Sequence, residues 1–216
     1  MGVPLVTVPP PPSPFTPLTY TLPAGTTLFR SHWKTLPATR FIQYKKPGTT
    51  RFGPFTGAAG TTLGVLYVGQ TDEAAVCESV LHHIPASGGV VGRSDYEDRI
   101  LTELTIDREV KLASFLGKGL RHLGVDAHEL TGPEADDYSL TVKWAEAAYQ
   151  AGFDGIAWMS ARLNSDRAYV LFEDRVSPAD FTAVGALSFD PDLDSVDGGF
   201  TWLSAFCQQV NVTVTI

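Results

Sequence analysis

Apolar and polar positions change period several times along the chain, and each change marks an element. From Thr27 the residues alternate. Leu28, Arg30 and His32 fall on one face and Phe29, Ser31 and Trp33 on the other, the period of a strand that must carry Arg30 toward solvent, a ligand or an acid. Leu63 to Gly69 is a short apolar run closed by glycine and predicts a buried strand. Thr71 or Asp72 then caps a helix running through His83. Its first turn holds Asp72 and Glu73, where acids suit the helix dipole, and Ala74, Cys77, Leu81 and Ile84 form its apolar stripe with Glu78 at the flank. Strands follow over 99–106 and 110–113, then a glycine-punctuated stretch over 114–140 with short helices, and a helix from about Leu140 to Ala151 stopped by Gly152. Further strands fall over 156–159 and 168–173, with a polar loop from Arg162 to Arg167 between them. Val210, Val212, Val214 and Ile216 alternate and predict a terminal strand. Strands outnumber helices, and the helices are inserted rather than alternating with them. That predicts an α+β domain built on antiparallel or mixed sheets, not a doubly wound fold.

Two stretches fit neither period. Residues 1–25 hold Pro9 to Pro12 in succession and then Pro14, Pro17 and Pro23, which rules out a helix or central strand and predicts an extended, loosely held tail. The globular domain is therefore drawn over residues 26–216. Residues 34–62 are rich in Thr, Gly, Pro and basic side chains and read as a long loop holding Arg51, and long loops in compact domains are often functional.

Composition narrows the setting. A chain of 216 residues with 44% apolar content and interspersed charge is enough for one sizeable core. Two cysteines, Cys77 and Cys207, are too few for a disulfide framework and suit a reducing cytoplasm. No stretch has the length of a transmembrane span, and the early prolines do not suit a secretory signal, so a cytoplasmic protein without membrane attachment is expected. The net charge of −8 is unevenly placed: the first acid is Asp72, and before it stand Arg30, Lys34, Arg40, Lys45, Lys46 and Arg51. A basic region on an acidic protein suits a compact anion better than a long nucleic acid, although the same cations could simply pair with the acidic remainder.

Candidate chemistry rests on few residues. His82 and His83 are adjacent and cannot both face one ion from a helix, and no Cys-x-x-Cys pair is present, so no metal is expected. Phosphate-loop, dinucleotide-binding and Gly-x-Ser-x-Gly patterns are also absent. Arg30 and Arg51 could each grip phosphate oxygens with paired hydrogen bonds, or bond a nearby acid or carbonyl. Tyr67, inside an apolar strand, is a pocket wall or a core tyrosine with its hydroxyl satisfied. Glu78 is either a carboxylate beside an apolar stripe, where its pKa would be perturbed, or a solvated helix-face glutamate. Ser160 at a strand end is a pocket hydroxyl or a turn cap. Arg162, Asn164, His32 and Arg40 have less support.

Taken in order, Leu28-Phe29-Arg30, Arg51-Phe52, Val65-Leu66-Tyr67-Val68-Gly69, Ala74-Ala75-Val76-Cys77-Glu78 and Phe153-Asp154-Gly155-Ile156-Ala157-Trp158-Met159-Ser160 resemble the RES family, over roughly Thr27 to Asp174. One departure is Gly53, where many members carry Asp. The resemblance implies an ADP-ribosyltransferase-like fold and an enzyme that consumes NAD as substrate, with no further cofactor. Arg30 and Arg51 would hold phosphate, Tyr67 would line the nicotinamide side, Glu78 would act at the ribose, and Ser160 would bond ligand or position the glutamate. It places Glu78, Arg30 and Tyr67 among the catalytic residues. It further implies the toxin of a toxin–antitoxin pair, its site covered by an antitoxin of the Xre type carrying the DNA-binding domain. Val76 stands where arginine-modifying ADP-ribosyltransferases carry a second glutamate, which favours NAD breakdown over arginine modification. The alternative is a non-catalytic nucleotide- or partner-binding module on the same fold.

Overall fold

Alternating apolar residues pair into one large mixed sheet, and the helices pack where that sheet presents its apolar rows. The computed structural model describes residues 8–43 and 48–216. In chain order the strands and helices are β1 (Thr19–Leu22), β2 (Thr26–Trp33), β3 (Phe55–Thr56), β4 (Thr62–Leu63), β5 (Val65–Gly69), α1 (Asp72–Cys77), β6 (Gly89–Val91), α2 (Arg93–Tyr96), β7 (Arg99–Ile106), β8 (Val110–Phe115), α3 (Gly117–Leu123), α4 (Ala127–Leu130), α5 (Tyr138–Gln150), β9 (Gly155–Met159), β10 (Arg167–Phe172), β11 (Phe181–Ser188), α6 (Asp194–Asp197), α7 (Gly199–Gln209) and β12 (Val212–Val214). Eight strands form the main sheet in the order β1-β8-β9-β10-β5-β2-β7-β11. Its pairings are antiparallel except β8 with β9. The fold is thus α+β, as the pattern predicts.

Register fixes which side chains share a face. Ile156, Val170 and Tyr67 lie side by side across β9, β10 and β5, and Trp158, Ala168, Gly69 and Phe29 make the next row, continued onto β2. Helix α5 packs Val142, Trp144, Ala145 and Ala148 against this face, and α1 packs Ala75, Val76 and Cys77 with Phe29. Leu28, Leu66, Val68, Ala157, Tyr169 and Leu171 alternate onto the opposite face and build a second cluster with Leu22, Phe41 and Leu112. Gly69 lets α1 sit close over the end of β5, because a Cβ there would lie 2.5 Å from the Ala75 nitrogen.

Three features differ from the sequence expectation. The proline-rich segment is packed, not loosely held, over its described part. Val8 is buried, the Trp144 indole N–H donates to the Pro9 carbonyl at 2.7 Å, Phe15 meets Trp144 edge-on, and β1 adds a strand to β8. Prolines cannot donate to a ladder, but Thr19–Leu22 contains none and takes the sheet edge. The first helix ends at Cys77 rather than His83. The Ser79 hydroxyl donates to the Ala75 carbonyl at 2.7 Å, and the chain continues as tight turns to Ile84. The third difference is at the end of the chain: α7 precedes the terminal strand, and β12 pairs in parallel with β6.

Candidate functional site

A tight turn places Arg51. The backbone N–H groups and carbonyls of Thr50 and Gly53 bond each other, and a Cβ on Gly53 would lie 2.6 Å from a Val65 methyl, so the residue at that point has no room for a side chain. Phe52 anchors the turn in the core against Phe115 and Trp158. Its backbone N–H donates to the Tyr67 hydroxyl at 2.9 Å, and the Thr141 hydroxyl donates to the Arg51 carbonyl. Arg51 itself is buried. Its Nη1 donates to the carbonyls of Thr131 and, at 3.0 Å, Pro133, and its guanidinium lies 5.5 Å from the Tyr138 ring centre. Its Nε is buried without a protein partner.

Tyr67 shares the face of Trp158, with ring centres 5.9 Å apart. Thr50 spends its hydroxyl proton on the Gly53 carbonyl at 2.6 Å, so the Tyr67 hydroxyl, 2.9 Å away, donates to Thr50 Oγ1. With both roles of that hydroxyl filled, the half-buried Tyr67 has only its ring to offer a ligand. Burial holds the phenol proton well above its ordinary range, so proton transfer through it is unfavourable.

Glu78 follows α1 as its C-cap, half-buried beside this face. Burial raises its carboxyl pKa, while the nearby Arg51 charge, a hydrogen bond from Ser160 and the Arg162 charge pull it back down. Ser160 is fully buried one step beyond Met159, on the strand face of Ile156 and Trp158. The loop after it turns at Asn164, whose backbone is left-handed, and Asn164 N–H donates to the Ser160 carbonyl at 2.7 Å. Arg162 in that loop donates from Nε to the His82 carbonyl and from Nη2 to the Glu134 carboxylate, each at 3.1 Å.

The structure thus brings Arg51, Tyr67, Glu78 and Ser160 into one neighbourhood. It adds His82 and Tyr138, which the sequence did not single out for this site. His82 Nε2 and the Tyr138 hydroxyl are 2.7 Å apart. Burial, with the positive charges of Arg51, His83 and Arg162, pushes the imidazole down to about 4, so it is neutral at pH 7. Only spatial position marks these two, since neither lies in a recognisable motif. Arg30 is placed differently. Register puts Phe29 and Gly69 on the Tyr67 face, so Arg30 points to the opposite face with Leu28. There it is buried and its Nη1 donates to the Ala38 carbonyl, while His32 Nε2 meets the Thr102 hydroxyl at 2.8 Å. Burial lowers the Arg30 guanidinium to about 10, which leaves it charged at neutral pH. Among the described residues no group of three His, Cys, Asp or Glu side chains is placed to hold a metal ion. No helix is long and apolar enough to cross a membrane among the described residues.

The profile of the RES domain matches residues 26–192. The chain belongs to the RES domain family. Among solved structures it is similar to the crystal structure of the M. tuberculosis MbcT-MbcA toxin-antitoxin complex, at 17% sequence identity with a TM-score of 0.58, covering 81% of this chain and 90% of that one. At that identity the likeness concerns fold alone, the α+β arrangement of mixed sheet and inserted helices described above. No curated protein matches the sequence significantly.

Proposed function

We propose that this RES domain is an NAD-consuming enzyme that cleaves the bond between nicotinamide and ribose, and that it serves as the toxin of a toxin–antitoxin pair. The observation that carries the reading is a half-buried carboxylate, Glu78, kept beside the buried Arg51 and Ser160 and the partly exposed Arg162. A carboxylate withdrawn from water is costly to hold ionised, and three groups here favour its charged form.

In this reading the C1′–N bond breaks with its electron pair leaving on nicotinamide, and positive charge grows on the ribose. Glu78 stabilises that charge at fixed distance, a preorganised electrostatic effect worth most where water is excluded. The Ser160 hydroxyl, close enough to favour the charged carboxylate, helps set its direction. The Tyr67 ring offers a flat apolar wall for the nicotinamide, and Arg51 supplies positive charge from behind, with its free Nε toward an anionic group. The acceptor then attacks C1′ and loses its proton. Water gives ADP-ribose, and phosphate or a protein side chain would use the same first step. His82, neutral at pH 7, can take a proton only weakly and is assigned no acid–base step.

The likeness in fold to a toxin solved in complex with its antitoxin supports a cognate antitoxin for this chain too, and we assign the Xre-type class and a position over the Glu78 site to that partner. The test is incubation of the purified protein with NAD, with released nicotinamide as the readout, with and without a chelator. Metal-free release confirms the activity. Intact NAD binding with no release would instead favour a binding module.

A further inference from the structure

Arg30, Arg51 and Arg162 differ in what it takes to free them. Arg30 and Arg51 are both buried and donate to backbone carbonyls, those of Ala38 and of Thr131 and Pro133. Pulling Arg51 toward a ligand would leave buried carbonyls unpaired, and pulling Arg30 would strip a part-buried one of its donor, each with a desolvation penalty. Arg162 is different. Its side chain is 25% exposed and its Nη2 is held by Glu134, whose side chain is 70% exposed. An ion pair of that exposure contributes little to stability, so exchanging the partner is nearly free. The pair also sits at the site: Arg162 acts on the Glu78 carboxyl through its charge and follows Ser160 by two residues. Glu134 lies in the segment that crosses the site, between Pro133, which holds Arg51, and Tyr138, which meets His82 and Arg51.

We infer that Arg162 is the exchangeable phosphate ligand of this site, and that Glu134 is a resident competitor whose carboxylate occupies Arg162 until a ligand phosphate displaces it. This rests on the nucleotide reading above but not on catalysis. A guanidinium matches phosphate and carboxylate oxygens alike, so one can replace the other without rebuilding the donor geometry. The exchange also releases an acidic side chain to solvent, away from the incoming anion. Specificity then falls on ligands that carry phosphate next to the ribose, since a nucleoside without phosphate gains nothing by removing Glu134.

The experiment uses the full chain and calorimetric binding of ADP-ribose and of nicotinamide riboside, alongside NAD turnover. Five proteins are compared: wild type, Glu134→Gln, Arg162→Ala, the double variant, and Arg162→Lys as a conservative control. Glu134→Gln should tighten ADP-ribose by about twofold to fivefold. Arg162→Ala should weaken it by about tenfold to a hundredfold, and Arg162→Lys by less. In the Arg162→Ala background the Glu134 change should have no effect, and nicotinamide riboside should respond to none of the variants. An unchanged affinity in Glu134→Gln, or a gain that persists without Arg162, would overturn the inference. ADP-ribose binding with this pattern but without NAD cleavage would sink the enzyme reading and leave Arg162 in place. Cleavage with no response to Glu134 or Arg162 would do the reverse, and a wild-type protein that binds neither ligand would overturn both.

Discussion

Replacing Glu78 by Gln separates a catalytic carboxylate from a structural one, because the two roles move stability in opposite directions. The side chain keeps its shape and loses its charge. In the folded protein that charge is held against burial, which is the largest influence on its pKa. It also caps the C-terminal end of α1, where the helix dipole disfavours an acid. Gln removes both penalties. It gives up the favourable approach of the Ser160 hydroxyl to a full negative charge, a loss of about 1 kcal/mol. The attraction to Arg51 and Arg162 goes as well. Since the net folded-state influence raises the pKa, the ionised form is disfavoured on folding, and the variant should melt at or above the wild-type temperature. A rise of about 2–4 °C would correspond to about 1 kcal/mol in a chain of this size. The transition state is another matter, because full charge on the ribose then faces a neutral amide. Turnover should fall by about 10²–10³, or about 2.7–4 kcal/mol, with NAD binding changed little. Nicotinamide release, NAD binding and thermal melting must be measured on the same preparation. Near-wild-type turnover in a folded Glu78→Gln protein would refute the reasoning, and a lower melting temperature with normal turnover would show an ordinary structural glutamate.

Other groups give independent tests. Tyr67→Phe removes the acceptor for the Phe52 N–H while keeping the ring, so stability should drop by about 1–3 kcal/mol in denaturant melts while turnover falls less than about tenfold; a large loss of turnover in a stable variant would give the hydroxyl a chemical role. His82 has a folded pKa below its unfolded value, so the stability it contributes is present above about 6.5 and is lost as pH falls through about 4; His82→Gln should flatten that acid limb of a melting-temperature profile, and an unchanged limb would place the imidazole in solvent. Glu78, with a raised pKa, contributes in the opposite sense, adding stability as pH falls through its folded pKa, so Glu78→Gln should steepen the limb instead. Deleting residues 1–25 removes β1, the Val8 contact and the acceptor of the Trp144 indole, and should lower the melting temperature by at least about 5 °C; an unchanged melt would mean the segment contributes no net stability.

Much of the fold was legible because it follows local periods. The alternation of β2, the apolar run of β5 and the stripe ahead of Gly152 correspond to observed elements, since each buries a face that its period defines. The segment 181–188 was not legible: five of its residues are exposed in an edge strand, so nothing selects alternation there. The packed proline segment was illegible for another reason. Its contacts are carbonyls and rings meeting Trp144 and β8, far away in sequence, and proline composition argues only against helices and central strands.

The candidate site shows the same boundary more sharply. Tyr67 and Ser160 follow from strand position, because side-chain alternation fixes their face once the strands are drawn. Alternation also separates Arg30 from them, and this required only knowing that Phe29 pairs with Gly69. What no period encodes is the segment from Thr131 to the start of α5, which supplies two carbonyls to Arg51, a carboxylate to Arg162 and a phenol to His82. Carbonyls carry no sequence signature, since every residue has one. A buried arginine satisfied by them therefore reads in the sequence just like an arginine waiting for phosphate. That is why Arg51 and Arg162 exchange emphasis once the loop is in place. The motif arginine is held by groups that cannot leave without penalty, whereas the arginine outside the motif keeps the His82 carbonyl on Nε and has Nη2 on a carboxylate that can leave. A ligand anion arriving at this site should meet the second before it disturbs the first.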